Sequence, residues 1–337
     1  AQASADHPRL HSYSPVQGEP ELLRAIVGKV QRRSGITLDP ANIQVMAGAT
    51  AAMGIICNAL LAPGDEVIIP APFWPLIRGA VRGRSAVAVE VPLFDRLDEP
   101  GFDAVAAIER AINPRTCAIY LNSPHNPTGR VLPERVLAGI AELAKQHDLW
   151  ILCDEAYEDV WFGREAPPSI FARPDFAGRT ITTHSVSKAY ALAGARVGYT
   201  HGPAEAMSVI RGVQTFYSYC APKPMQFAAV AALDRGDAWL DHMRRTYASA
   251  ARAAADALEV PAPEGGTFLF FEVKRFLRPS EDLTGLLQRC VDAGVMLTPG
   301  TSCGTDYGGW ARLCFTTVPE PELRAALEIL RGVLFRS

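Results

Sequence analysis

The sequence predicts an α/β protein: a large domain with a mostly parallel, mixed sheet between helices, followed by a smaller α/β domain at the C-terminus. Three observations predict it. Apolar runs of strand length alternate with helical patterns along most of the chain, as in a sheet covered by helices. Turn-forming clusters such as Asn126-Pro127-Thr128-Gly129 follow those runs, where ligands sit in open parallel sheets. At 337 residues the chain also exceeds the ~250 to 300 at which a single core stops growing.

In order, residues 1–12 are small and polar and read as a loop, the remnant of an N-terminal arm. Glu19-Pro20-Glu21 opens a helical pattern through Ile26, Val27 and Val30. Ile43 to Ala47 reads as a short strand, and Gly48-Ala49-Thr50 opens an apolar helix through Met53, Ile56 and Leu61. Pro63-Gly64-Asp65 marks a turn before a strand at Glu66 to Ile69. Pro70, Pro72 and Pro75 then stiffen a loop around Phe73 and Trp74. A strand at Ala86 to Val91 and a helix at Phe102 to Ile112 show no chemistry. Ala118 to Leu121 is a buried strand, Glu134 to Gln146 a helix, and Leu149 to Cys153 and Thr180 to His184 are strands.

From Pro224 to Leu258 the pattern is helical, alanine-rich and long enough to bridge two domains, which places the boundary near its middle. Residues 13–240 then form the large domain and 241–337 the small one. The small domain alternates strand (Thr267 to Val273), helix (Leu283 to Ala293), strand (Val295 to Thr298), strand (Trp310 to Phe315) and a closing helix, Glu320 to Phe335.

Chemistry concentrates around Lys188. Ser185-Val186-Ser187-Lys188 is followed by Gly194, Arg196, Gly198 and Tyr199. A primary amine acts as a nucleophile at neutral pH only when its pKa is lowered or when it is held as a Schiff base. Ser185, Ser187 and Arg196 suit a phosphate, the arginine through its fork of donors. The four letters S-x-S-K alone describe many solvated turns; the glycines and arginine that follow set this run apart. The helix start at Ala49 and Thr50 offers free N–H groups for the same phosphate, although strand, turn and helix recur in any α/β protein. Asp154 ends a hydrophobic strand, where a carboxylate is costly to bury without a partner. Within Asp154-Glu155-Ala156-Tyr157 it reads equally as a helix cap. Arg312 is the one arginine of its strand, and lone strand arginines usually face solvent.

Taken in order from Tyr13 to Arg312, these stations resemble the class I and II aminotransferases, the fold-type I enzymes dependent on pyridoxal phosphate. The resemblance implies a Schiff base at Lys188 and phosphate contacts from Ser185, Ser187, Arg196, Ala49 and Thr50. It implies that Asp154 keeps the pyridine nitrogen protonated, making the ring an electron sink, and that Asn126 and Tyr157 hydrogen-bond the 3-oxygen. Trp74 corresponds to the aromatic that stacks on the ring; the competing reading puts Trp74 in the core and makes Phe73 the stacker. Arg312 corresponds to the strand arginine that clamps the substrate's α-carboxylate, with Asn126 beside it. Tyr13, with Gly18 and Leu23-Arg24 behind it, corresponds to a tyrosine that reaches across a homodimer to the neighbour's cofactor phosphate. Its plain alternative is a capped helix with an exposed tyrosine. Members of that family carry a further segment before this tyrosine, a dimer arm and part of the lid, where this sequence has twelve residues. The implied activity moves the amino group of an L-amino acid to a 2-oxo acid, with Lys188 as the base for the α-proton.

Other fates use the same cofactor residues: β-elimination such as C–S cleavage, or decarboxylation. A regulator that only senses the cofactor is a third reading, and it needs a basic helix-turn-helix head ahead of Tyr13. Family members that prefer dicarboxylates carry a second arginine near Gln214, which points away from aspartate. Phe216, Tyr217 and Tyr219 read either as active-site lining near a subunit boundary or as interface packing.

Composition narrows the partners. A formal charge of −3 without any Lys/Arg-rich run gives no electrostatic groove for nucleic acid. The seven cysteines form no C-x-x-C pair and the seven histidines no H-x-x-x-H pattern, so the expectation is a reducing compartment and no metal. No apolar run approaches the ~20 residues of a membrane span, and the start lacks a signal-peptide layout, which together read as cytoplasmic.

Overall fold

The computed structural model describes residues 9–176 and 178–335. Most of the expected N-terminal arm, residues 1–8, lies outside the described residues, and residues 9–12 form a turn. Seven strands make the main sheet: β1 (Ile43–Met46), β2 (Glu66–Ala71), β3 (Val87–Pro92), β4 (Thr116–Asn122), β5 (Trp150–Asp154), β6 (Thr180–Ser185) and β7 (Gly198–His201). Their order is β1-β7-β6-β5-β4-β2-β3, and only β7 runs against the others.

The central strands are continuous apolar runs because both faces are covered, the pattern that parallel sheets require. On one face α2 (Ala49–Leu60), α3 (Pro75–Arg82) and α6 (Ala204–Tyr217) bury Met53, Ile56, Phe73, Ile77, Met207 and Ile210. On the other, α4 (Ala104–Glu109) and α5 (Glu134–Gln146) contribute Ile108, Val136, Ile140 and Leu143. Each such side chain stabilises the fold by roughly 1.5–3 kcal/mol through loss of apolar contact with water. A third core joins α1 (Pro20–Ser34) to α7 (Lys223–Arg235) around Leu22, Ile26, Ala229 and Leu233.

The long alanine-rich run is two helices, α7 and α8 (Asp237–Leu258), broken at Gly236. A Cβ at Gly236 would lie 2.6 Å from the Tyr190 ring and overlap the Ala232 carbonyl, so the chain turns where only glycine fits. Along α8, Leu240 and Met243 pack with α1 and α7, whereas Ala250 to Leu258 pack with the second sheet. That sheet consists of β8 (Phe268–Glu272), β9 (Thr298–Pro299) and β10 (Trp310–Cys314), in the order β8-β10-β9. Helices α9 (Leu283–Asp292) and α10 (Glu320–Phe335) close its core over Leu269, Phe271, Leu313 and Leu330.

Two expected elements are shorter than the pattern suggested. The helix expected at Phe102 to Ile112 is α4 alone, because the Asp103 carboxylate accepts from Val105 and Ala106 N–H and fixes the start there. The strand expected at Val295 to Thr298 reduces to β9. Val295 N–H still bonds back to Cys290 at the end of α9, so the run is a helix exit before it is a strand. No described helix is long and apolar enough to cross a membrane.

Candidate active site

The sheet ends align chemistry before any loop is considered. Register pairs Asn122 of β4 with Asp154 of β5, and Asp154 with Thr183 of β6, so the residues that end β4 and β5 sit side by side, two residues short of the end of β6. Lys188 follows β6 by a short turn. Asn122, Asp154 and Lys188 open into one cavity of about 400 Å³, which Phe268 and Arg312 from the second sheet also line.

Lys188 Nζ lies 5.8 Å from the centre of the Tyr157 ring, and Asp154 lines the same cavity. Asp154 caps no helix and instead starts a turn: its Oδ1 accepts from Ala156 N–H at 3.0 Å while Oδ2 accepts from the Tyr120 hydroxyl at 2.9 Å. Burial pushes the Asp154 carboxyl up from its ordinary range, and these two donors, with the charges of His184 and Lys188, oppose the shift. Burial, and then the charge of Asp154, push the Tyr157 phenol well above its usual range, so Tyr157 stays a hydrogen-bond donor.

The same cavity holds a set of donors. Ser185, Ser187, Arg196, Ala49 and Thr50 all line it. Gly48, at φ 87°, precedes α2 without a side-chain cap, which leaves the first N–H groups of the helix free. Arg196 adopts φ 52°, uncommon for a non-glycine residue, and its Nη1 donates to the Ala193 carbonyl at 2.9 Å. A Cβ on Gly48 would collide with the Arg196 guanidinium. The close approach of backbone and arginine explains the glycine.

Arg312 does not face solvent. Its Nη1 donates to Asn126 Oδ1 at 3.0 Å, its Nη2 lies 3.4 Å from Thr298 Oγ1, and its guanidinium covers the Phe268 ring at 4.2 Å. Trp74 lines the cavity, whereas Phe73 is fully buried in the core and does not reach it.

Tyr13 is the exception among the predicted site residues. It is 82% exposed, away from this chain's cavity, with its ring edge-on to Tyr219 at 5.2 Å. Phe216 (90% exposed), Tyr217 and Tyr219 stand outside the cavity as well, so within one chain they do not line it. Gln214 is a correction of a different kind. It is fully buried and donates to the Val45 carbonyl at 2.9 Å, so it does not face the cavity and says nothing about dicarboxylate preference. His125 stacks on Phe94, is held neutral by burial and does not line the cavity.

Sequence reasoning missed Asn122, Leu76 and Phe268 as cavity residues. Asn122 carried a signal, a polar residue ending an apolar strand; its Oδ1 accepts from Asn126 N–H at 2.8 Å and its Nδ2 donates to the Asp154 carbonyl at 2.8 Å. Phe268 reads from sequence as ordinary strand core.

A buried charge network outside the cavity reaches Asp154 through the charge of His184. Lys29 meets Glu158 at 2.9 Å and also Asp159, His184 Nδ1 meets Glu158 Oε1 at 2.9 Å, and His184 and His201 share an Nε2–Nε2 contact of 3.0 Å. Burial opposes a charge on His184, yet Glu158 outweighs it and raises the His184 pKa. His201, beside it, is driven down by burial and is the neutral acceptor.

This order of strands, with a lysine after β6 and a carboxylate at the end of β5, is the architecture of fold-type I transferases. The chain belongs to the family described as aminotransferase class I and II, which matches residues 1–330. It is 33% identical to an aspartate/prephenate aminotransferase of Thermus thermophilus over 340 residues, covering 96% of this chain and 84% of that protein. It is also 33% identical to an arginine–pyruvate transaminase of Pseudomonas aeruginosa over 328 residues, covering 94% and 81%. The solved N-succinyldiaminopimelate aminotransferase of Mycobacterium tuberculosis superposes with a TM-score of 0.90 at 30% identity, over 98% of this chain and 88% of the other. The chain is an aminotransferase, and members of its family depend on pyridoxal phosphate.

Proposed function

We propose that the cavity binds pyridoxal phosphate and uses it to pass the amino group of an L-amino acid to a 2-oxo acid. The observation that carries the reading is that Lys188 and Asp154 line one cavity together with a phosphate-type donor set. The donor chemistry fits both ends of the cofactor. Two hydroxyls, a guanidinium and uncapped helix N–H groups suit a dianion, and a buried carboxylate suits a cationic ring nitrogen.

When bound, pyridoxal phosphate supplies an aldehyde that condenses with amines and a ring that delocalises the electron pair left at the substrate α-carbon. Ser185, Ser187, Arg196, Ala49 and Thr50 would hold the phosphate, and Trp74 would cover one face of the ring. Asp154 would hold a proton at the ring nitrogen. Asn126 Oδ1 is occupied by Arg312, which leaves its Nδ2 to donate to the 3-oxygen together with Tyr157. Arg312, already oriented by Asn126 and Phe268, would pair with the α-carboxylate in bidentate fashion. Lys188 Nζ would take the proton from the α-carbon, a general-base step worth ~10² to 10⁴ in rate. Leu76, Trp74 and Phe268 give the cavity apolar walls that limit water.

The same reading makes the protein a homodimer. Tyr13, Phe216, Tyr217 and Tyr219 are exposed aromatics that a second copy would cover, and Tyr13 would reach the partner's phosphate site. The chain divides within α8, whose two ends join different cores. Seven free thiols support a cytoplasmic setting.

The test is turnover. Protein, cofactor and a panel of L-amino acids, aspartate and arginine among them, are mixed with 2-oxoglutarate or pyruvate. A new amino acid is expected, and Lys188→Ala should abolish both the yellow chromophore and the product. Release of ammonia or sulfide without a new amino acid would make the protein a lyase, and binding without turnover a sensor.

A further inference from the structure

Asp154 is held by more than the turn it starts. Tyr120 lies on β4 two residues before Asn122, so both side chains leave the same face of that strand. Asn122 pairs with Asp154 in register and holds its carbonyl, while Tyr120, paired with Leu152, reaches up to donate to Asp154 Oδ2 at 2.9 Å. Tyr120 is 1% exposed, packs into the core beneath the sheet end and does not line the cavity. Burial, followed by the charge of Asp154, holds its phenol protonated, so it remains a donor across the working pH range.

A donor in this place has a definite consequence. Burial disfavours the charged form of Asp154, and the groups that oppose it are Ala156 N–H, the Tyr120 hydroxyl, and the charges of His184 on β6 and Lys188 beyond it. Tyr157 and Cys153, on the same segment as Asp154, stay neutral through burial. The Tyr120 bond is the only side-chain hydrogen bond described to the Asp154 carboxylate. We infer that Tyr120 is a positioning residue, whose hydroxyl keeps Asp154 a carboxylate and fixes its aim toward the cavity. The inference rests on the reading of the cavity as a pyridoxal phosphate site, where the remaining lone pairs of Asp154 face the ring nitrogen.

Tyr120→Phe removes one oxygen and keeps the outline of the ring. Two measurements follow it: the titration midpoint of Asp154 in the apoprotein, by carbon NMR with the resonance assigned through Asp154→Asn, and the dissociation constant for pyridoxal phosphate. Loss of a hydrogen bond to a charged acceptor is expected to raise the midpoint by about one pH unit and weaken cofactor binding about tenfold. Placing 3,5-difluorotyrosine at position 120, a stronger donor, is expected to move the midpoint down, and this decides the matter if Tyr120→Phe does not fold. An unmoved Asp154 midpoint in both variants overturns the inference, even if the melting temperature falls, since packing alone would then account for Tyr120. Should the wild type fail to bind pyridoxal phosphate, the cofactor reading falls instead, and the apoprotein titration still decides the role of Tyr120.

Discussion

Arg312 Nη1 donates to Asn126 Oδ1 at 3.0 Å, tying the second sheet to the turn that follows β4. The bond fixes the arginine's orientation before any substrate arrives, and the Phe268 face fixes its plane. Lysine at position 312 would keep the charge and lose the planar fork. Arg312→Lys is therefore expected to lower kcat/KM about 10- to 100-fold, mainly through KM, with cofactor affinity unchanged. A fall in kcat alone, measured over a full substrate titration, would contradict the carboxylate role.

Gly48 and Arg196 form the second test. A side chain at position 48 must accept φ 87° and must push the Arg196 guanidinium aside. Gly48→Ala is expected to cost about 1 kcal/mol of stability and to weaken pyridoxal phosphate binding more than tenfold. Arg196→Gln should weaken binding similarly without the stability loss, because the arginine is exposed and makes only carbonyl contacts within the chain. Equilibrium titration of both variants, with thermal melts alongside, separates backbone strain from loss of the donor.

How much of this was legible in the sequence depends on whether chemistry is contiguous. Ser185, Ser187, Lys188 and Arg196 lie within one short run, and the strand-ending Asp154 announced itself by polarity after Trp150 to Cys153. Tyr120 could not be found that way: alternation along β4 tells which face it occupies, and only the register with β5 brings its hydroxyl to Asp154. Phe268 was invisible for the same reason, since it takes its role from Arg312 two strands' sequence away. The break at Gly236 needed the Tyr190 ring, and the burial of Gln214 needed the packing of α6 on β1. These are tertiary facts, and local propensity carries no record of them.

The buried charges predict how stability responds to pH. Among the described residues Glu155 Oε2 has no hydrogen-bond partner, and burial pushes this carboxyl up to about 7, with His184 pulling against it and Glu158 adding to it. The folded state therefore binds more protons than the unfolded state between about pH 4.5 and 7, and stability falls as pH rises through that window. Glu155→Gln should flatten that part of a denaturant-midpoint profile. His184, also raised, adds stability that is complete below its unfolded pKa of about 6.5 and is lost as pH climbs through its higher folded value. His184→Asn should remove the decline above neutrality, at most about 1.4 kcal/mol per pH unit. Profiles of both variants that parallel the wild type would mean that neither group sets the curve.

Tyr13 gives the sharpest test of assembly, because its exposed ring serves a site only if that site belongs to another copy. Tyr13→Phe alone is expected to weaken pyridoxal phosphate binding about tenfold, as loss of one hydrogen bond to a charged group requires. Lys188→Ala alone is inactive but keeps its own Tyr13. In a mixed dimer of the two, the Tyr13→Phe chain retains Lys188 and receives an intact Tyr13 from its neighbour, so one site of the two is complete. Mixing the inactive chain into Tyr13→Phe should thus raise cofactor affinity at the active sites toward wild type, and sedimentation should report dimers throughout. An affinity that stays at the Tyr13→Phe value at every mixing ratio, with mixed dimers demonstrably formed, would place Tyr13 outside the neighbour's site.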